Sequence, residues 1–234
     1  MSIEAPGKLI LLPNLLDENG PWEQFLPAGV NRAVHSIQGL IVESEKSGRR
    51  YLRKFLSHEE MAAMPLRLLN EHTKELAALI EPMVKGETWG LISDAGLSCL
   101  ADPGTDLVAL AHSKGIAVDT YAGPSSIIFA LQLSGFSGQK FTFHGYLPRE
   151  SPQIEQAIRD LEKRAKAETQ IFIEAPYRSA KLLNLLLTVL QPNTRLCVAA
   201  SLTTPQQRVL SQTVAKWKQT QFSLEKEPVV FLIQ

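Results

Sequence analysis

Four short apolar runs recur through the first half of the chain: KLILLPN (8–14), GLIVES (39–44), WGLISD (89–94) and IAVDTYA (116–122). Their brevity and near-continuous hydrophobicity predict strands buried on both faces of a parallel or mixed sheet. Between them the period lengthens to that of a helix. Leu76, Leu79, Ile80 and Val84 share one face of a pattern that stops at Gly86, and TDLVALAHSKG stops in the same way at Gly115. Strand and helix signals in alternation predict an α/β fold.

After AGPSS (122–126) the texture changes. KFTFHGYL, QIFIEA, RLCVAAS, QRVLSQTVAKW and PVVFLIQ are five strand candidates, separated in part by two helical patterns. The first helix is expected to open with Ser151 as N-cap and Pro152 at its first position, with Ile154, Ala157, Ile158 and Leu161 on its apolar face. The second is RSAKLLNLLLTVL. The last three strand candidates follow one another with no helix between them, which predicts antiparallel pairing at the end of a mixed sheet. Two α/β domains are expected, 1–121 and 122–234, with no internal repeat.

Composition narrows this picture mainly by exclusion. Lys plus Arg and Asp plus Glu number 24 each, so no whole-molecule field draws the chain to nucleic acid or to an anionic membrane. One local exception is KSGRRYLRKF, where Lys46, Arg49, Arg50, Arg53 and Lys54 surround Tyr51 and Phe55; a phosphate-contacting surface and a solvated helix face weigh equally there. Cys99 and Cys197 fit neither a zinc spacing nor a disulfide framework, and the five histidines show no metal-ligand pattern, so no metal site is expected. No apolar run is long enough to span a membrane and the N-terminus has no leader pattern, so a cytoplasmic location is expected. Phosphate-loop, dinucleotide-fingerprint, zinc-protease and nucleophile-elbow motifs are all missing from the sequence.

What remains is a set of loops at strand ends. In open α/β sheets, ligands bind beyond the carboxyl ends of strands, where small residues let them approach the backbone. PNLL, SDAG and AGPSS occupy such positions. The ordered series GLISDAGLSCLADPGTDLV, GIAVDTYAGPSSIIFALQLSGF, KFTFHGYLPRE and IFIEAPYR resembles the tetrapyrrole (corrin and porphyrin) methylase superfamily, over roughly Gly7 to Leu202. Within it, the chain is most similar to the branch that 2′-O-methylates a cytidine of small-subunit ribosomal RNA with S-adenosylmethionine.

The resemblance implies two α/β domains with S-adenosylmethionine in the cleft between them, an RNA substrate and a homodimer. It implies cofactor contacts from Pro13, Asn14 and Leu15, in a loop shorter than the branch's usual one, from Ser93, Asp94, Ala95 and Gly96, and from Gly123, Pro124, Ser125 and Ser126. It brings Tyr146, Tyr177, Ala200 and Leu202 to the adenine. Asp102 to Gly104 reads as a turn into the next helix, and Cys99 as a small buried hydrophobe.

A ribose hydroxyl must lose its proton during methyl transfer, and Glu43 and Glu174 are the candidate bases, with Arg178 to hold substrate phosphate or orient Glu174. The sequence departs from the RNA branch at AASLTT (199–204), where that branch carries A-R-E-L-T-K. Two alternatives therefore stay open: a methylase of a tetrapyrrole or another small molecule, and a cofactor- or RNA-binding module without catalysis.

Overall fold

The apolar runs of the first half become a five-stranded, wholly parallel sheet in a computed structural model that describes residues 7–73 and 75–234. The chain divides into two compact units, Met1–Ser125 and Ser126–Gln234. In chain order the first unit contains β1 (Lys8–Leu11), α1 (Trp22–Phe25), α2 (Ala28–Ser36), β2 (Gly39–Val42), α3 (Glu45–Leu52), α4 (His58–Ala63), β3 (Leu66–Leu68), α5 (Leu76–Val84), β4 (Thr88–Leu91), α6 (Thr105–Ser113) and β5 (Ala117–Thr120). Its strand order is β3-β2-β4-β1-β5.

Successive strand residues point to opposite faces, and both faces are covered by helices. On one face Ile10, Leu40 and Val42 pack with Val30, Ala33 and Val34 of α2, Tyr51 and Leu52 of α3 and Met61 of α4. On the other, Leu9, Ile41, Trp89 and Leu91 pack with Leu79, Ile80 and Met83 of α5 and Leu107 and Ala111 of α6. This two-sided burial explains why the runs of β1, β2 and β4 are apolar throughout instead of alternating; β5 departs from the expectation of two buried faces, because it lies at the sheet edge and is largely exposed. Each fully buried Leu or Ile contributes roughly 1.5–3 kcal/mol by leaving water.

Strand β3 was not expected from the pattern. It is three residues long, carries Arg67 at its centre and lies at the sheet edge beside β2, so it lacks the long apolar run of the interior strands.

The second unit contains α7 (Ser126–Ser134), β6 (Phe141–Tyr146), α8 (Gln153–Ala165), β7 (Thr169–Glu174), α9 (Ser179–Val189), β8 (Arg195–Ala200), β9 (Arg208–Thr213), α10 (Val214–Trp217) and β10 (Val229–Ile233). All five strand candidates form one mixed sheet of order β6-β7-β10-β8-β9. β6 and β7 are parallel, joined through α8, while β10 runs antiparallel to both β7 and β8, and β8 antiparallel to β9. Ile158 of α8, Leu182 and Leu186 of α9 and Trp217 of α10 meet Phe172, Val198 and Phe231 on one face.

Two details differ from the sequence reading. Helix α8 begins at Gln153 with Pro152 in the N-cap position, and the Ser151 hydroxyl bonds the Glu155 carboxylate at 3.2 Å instead of capping the backbone. A short helix, α10, interrupts the run of three strands, because Trp217 turns into the core and its indole N–H donates to Leu196 O at 2.8 Å.

Candidate functional site

In the first unit the three nominated loops follow β1, β4 and β5, which are laterally adjacent, so all three emerge side by side at the carboxyl edge of the sheet. Asn14 binds the first loop to the second. Its Nδ2 donates to Ser93 O and to Asp94 O, each at 3.0 Å, and its Oδ1 accepts from Leu15 N at 2.8 Å. The backbone supports the same junction through Asn14 N to Gly96 O at 2.8 Å. All polar capacity of this buried side chain except one lone pair is engaged, so Asn14 holds the two loops together.

The third loop touches the first. A Cβ added to Gly123 would lie 2.1 Å from Pro13 Cβ, closer than any side chain permits. Between these loops lies a cavity of about 540 Å³ lined by Leu11 to Pro13, Leu97 to Leu100 and Thr120 to Gly123. The sequence reading did not nominate Leu97, Ser98, Leu100, Thr120 or Tyr121 as lining. The chain bends back to form this wall through left-handed residues, Cys99 at φ 66° and Ala101 at φ 69°, and such turns leave no periodic signature. Gly104, at φ 136°, is required where the turn closes, since a Cβ there would meet Cys99 Sγ at 2.7 Å.

Glu43 follows β2, the strand beside β4, and its carboxylate accepts from Asp94 N at 3.3 Å. Burial, together with the negative charges of Asp102 and Asp94, raises its pKa to about 7. Asp102 rises to about 6 by burial, opposed by a Ser93 hydroxyl interaction and reinforced by Asp94. Ser93 is 1% exposed and its Oγ faces both carboxyls, yet it completes no hydrogen bond of normal geometry. Asp102 is therefore more than a turn residue: it belongs to an acidic group with Glu43 and Asp94. Among the described residues no group of three His, Cys, Asp or Glu side chains is placed to hold a metal ion. Burial and Asp102 push the Cys99 thiol up, away from thiolate character.

These features fit S-adenosylmethionine. The cavity falls within the volume range of small-ligand sites, about 300–1,000 Å³. The Ser93 hydroxyl is a buried polar atom with bonding capacity to spare, and neighbouring carboxylates suit a ligand bearing positive charge.

In the second unit Glu174 closes β7 with its side chain 3% exposed and pairs with Arg178 Nη2 at 2.8 Å. Its Oε1 accepts from Ala175 N at 2.7 Å, and Oε2 is the oxygen paired with Arg178, so both oxygens are engaged. Tyr146 and Tyr177 are 61% and 67% exposed, at the end of β6 and just after β7. Ala200 is different: its methyl lies in the hydrophobic core and its backbone is paired to both Val229 and Arg208. Leu202 is 6% exposed. In the divergent 199–204 segment, the Ser201 hydroxyl donates to Glu227 Oε2 at 2.6 Å, and Arg208 pairs with the same carboxylate. The polar groups of this hairpin are thus satisfied locally.

The basic run is largely structural. Arg49 donates to Met61 O and Met64 O, Arg50 pairs with Glu18, and Lys54 donates to Glu18 O at 3.0 Å. Three of its five cations therefore hold α3 against its neighbours, because helix periodicity turns Arg49 towards α4.

The family model for tetrapyrrole (corrin/porphyrin) methylases matches residues 32–217. Proteins named ribosomal RNA small subunit methyltransferase I are similar. The one from Xylella fastidiosa is 35% identical over 186 residues, covering 79% of this chain and 67% of its own. That from Halalkalibacterium halodurans is 38% identical over 143 residues, covering 60% and 48% respectively. The Thermotoga maritima protein is 30% identical over 149 residues, covering 63% and 64%. The chain thus spans between about half and two thirds of the length of these curated relatives. A crystal structure of the methyltransferase CobJ superposes with a TM-score of 0.62 at 16% identity, covering 97% of this chain and 93% of that one, which shows a shared fold. With a matching region of 186 of its 234 residues, the chain belongs to the tetrapyrrole (corrin/porphyrin) methylase family.

Proposed function

We propose that the chain is an S-adenosylmethionine-dependent methyltransferase that methylates a ribose 2′-hydroxyl of ribosomal RNA. The observation that carries this reading is the stapled set of three loops around a 540 Å³ cavity at the carboxyl edge of the parallel sheet, with Glu43 beside Asp94 on the same edge. The RNA assignment is supported by the similarity to proteins named ribosomal RNA small subunit methyltransferase I.

When bound, S-adenosylmethionine supplies a methyl group already activated by a positive sulfur. Pro13, Leu15, Ser93 to Gly96 and Gly123 to Ser125 form the surrounding loops, and Asn14 holds two of those loops in register. The chain must then position the acceptor oxygen and accept its proton. Glu43 suits that second task, because a carboxyl with a pKa of about 7 is half ionised near neutral pH and still takes up a proton readily. Glu174 and Arg178, fixed to each other, serve to hold substrate. A cytoplasmic location and a homodimer complete the reading.

The test is incubation of the full chain with methyl-labelled S-adenosylmethionine and small ribosomal subunits lacking the modification. Ribose-bound label in the RNA is expected. Label transferred only to an added tetrapyrrole or other small molecule, or tight cofactor binding with no transfer to any acceptor, would defeat it.

A further inference from the structure

The turn between β4 and α6 returns one carboxyl group to the strand the chain has just left. Ser98 Oγ donates to Leu91 O at 3.2 Å, and a Cβ added to Gly104 would lie 3.0 Å from Leu91 Cδ2, so both ends of the turn are seated on the last residue of β4. Between those anchors the left-handed backbone of Cys99 and Ala101 closes the loop. Asp102, two residues before Gly104, is therefore kept at the carboxyl end of β4 and only partly exposed. The same edge is joined to β2 by Ile92 N donating to Ile41 O at 3.0 Å and by Asp94 N donating to Glu43 at 3.3 Å. Ser93 lies in the middle of this junction, 1% exposed, with its hydroxyl facing both Glu43 and Asp102 and completing a hydrogen bond of normal geometry to neither. A buried hydroxyl needs a partner, and it has one proton for two carboxyl groups.

We propose that Ser93 and Asp102 are positioning residues for methyl transfer, a hydroxyl and a carboxylate that form a relay behind Glu43; this rests on the reading of Glu43 as the base. With Glu43 ionised, the Ser93 hydroxyl donates to it and fixes its carboxylate. When the ribose O–H bond breaks, the proton passes to Glu43 and the ribose oxygen keeps the bonding pair for the methyl group. The new Glu43 O–H then donates to Ser93 Oγ, whose own proton turns to Asp102. No proton leaves Ser93; only its acceptor changes. Asp102 suits the end of the relay because it ionises first: burial raises it to about 6, against about 7 for Glu43, so at neutral pH it is charged while Glu43 is half protonated. The charges acting on Glu43 are those of Asp102 and Asp94, both negative, and α3, which follows it, adds none. Asp102 in turn faces Asp94, Glu43 and the Cys99 thiol.

The experiment follows the Glu43 carboxyl directly, by carbon-13 NMR of the full chain labelled at its glutamate carboxyl groups, with Glu43→Gln assigning the resonance. In parallel it records the pH profile of kcat for ribosomal RNA methylation at saturating S-adenosylmethionine and RNA. Asp102→Asn removes a like charge, so the Glu43 midpoint and the activity limb should both fall by about one pH unit. Ser93→Ala removes a hydrogen bond to the ionised carboxylate, so both should rise, by roughly half a unit. Shifts of opposite sign are a signature that a merely structural role would not produce. On the plateau kcat should fall about tenfold in each, in the first because the base is weaker and in the second because the carboxylate loses its orientation. Should Asp102→Asn fail to fold, the rise in Ser93→Ala alone decides. Wild-type midpoints in the variants, in a protein whose activity follows the Glu43 titration, would overturn the relay and leave Glu43 as the base. A wild-type chain whose kcat does not follow that titration would overturn both.

Discussion

Asn14 donates from one amide nitrogen to the carbonyl oxygens of Ser93 and Asp94, joining the end of β1 to the end of β4 across 79 and 80 positions of sequence. Two loops that form a single wall are thereby held by one side chain. Replacing it with Ala leaves two carbonyls without their donor, at a cost of about 1–3 kcal/mol. Asn14→Ala is expected to lower thermal stability and to weaken S-adenosylmethionine binding more than tenfold in calorimetry. Asn14→Asp, which keeps the acceptor for Leu15 N but loses the donor, should behave like Ala; wild-type affinity would show that the staple is dispensable.

Gly123 carries a second constraint on the same edge. Because its added Cβ would overlap Pro13, Gly123→Ala must push the first and third loops apart. Overpacking of this kind costs about 1–3 kcal/mol. The expected readout is a lower Tm with a disproportionate loss of cofactor affinity, whereas Gly115→Ala, with nothing within 4 Å but a φ of +68°, should lower the Tm alone.

Glu43 predicts opposite pH trends for stability and activity. Its folded pKa, about 7, is above the ordinary 4.5, so the folded state holds the proton more tightly than the unfolded one. Its stabilising contribution is complete below about pH 4.5 and is lost as pH rises through 7. Glu43→Gln should therefore leave the Tm unchanged at pH 5 and raise it at pH 8 by about 2–4 °C, the shift that roughly 1 kcal/mol produces in a chain of this length once the half-exposed carboxyl is discounted. Methyl transfer, which needs the ionised base, should rise through pH 7 in the wild type and lose that limb in the variant. A Tm profile parallel to wild type from pH 5 to 8 would remove Glu43 from the argument.

The Glu174–Arg178 pair is buried enough for its rupture to matter. Removing one partner of such a pair typically costs 3–5 kcal/mol, since the other charge is left without compensation. Arg178→Met should show that loss in denaturant unfolding. Adding Glu174→Gln to it should recover a large part, and no recovery would mean that Arg178 stabilises through other contacts.

Much of this was written along the chain. The strands over 8–14, 39–44 and 89–94, the helices ending at Gly86 and Gly115, and the antiparallel close of the second sheet follow from residue periodicity, because burial on one or both faces leaves a direct trace in which positions are apolar; the strand within 116–122 forms at the sheet edge although it is largely exposed. The loops after β1, β4 and β5 were visible as small-residue breaks, and the family's ordered motifs made them cofactor candidates.

Other features depended on which residues the fold brought together. No spacing announces that Glu43, Ser93 and Asp102 share one neighbourhood, since they come from separate segments that meet only when β2 pairs with β4. Nor does a run of five cations reveal that Arg49, Arg50 and Lys54 are spent on Met61, Met64 and Glu18, while Arg149 and Lys181, 32 positions apart and unremarkable in sequence, border one cavity unpaired. Periodicity records whether a residue is buried, a property of its own segment. Charge pairing, pKa and cavity lining are set by neighbours distant in sequence, and only the tertiary structure decides who those neighbours are.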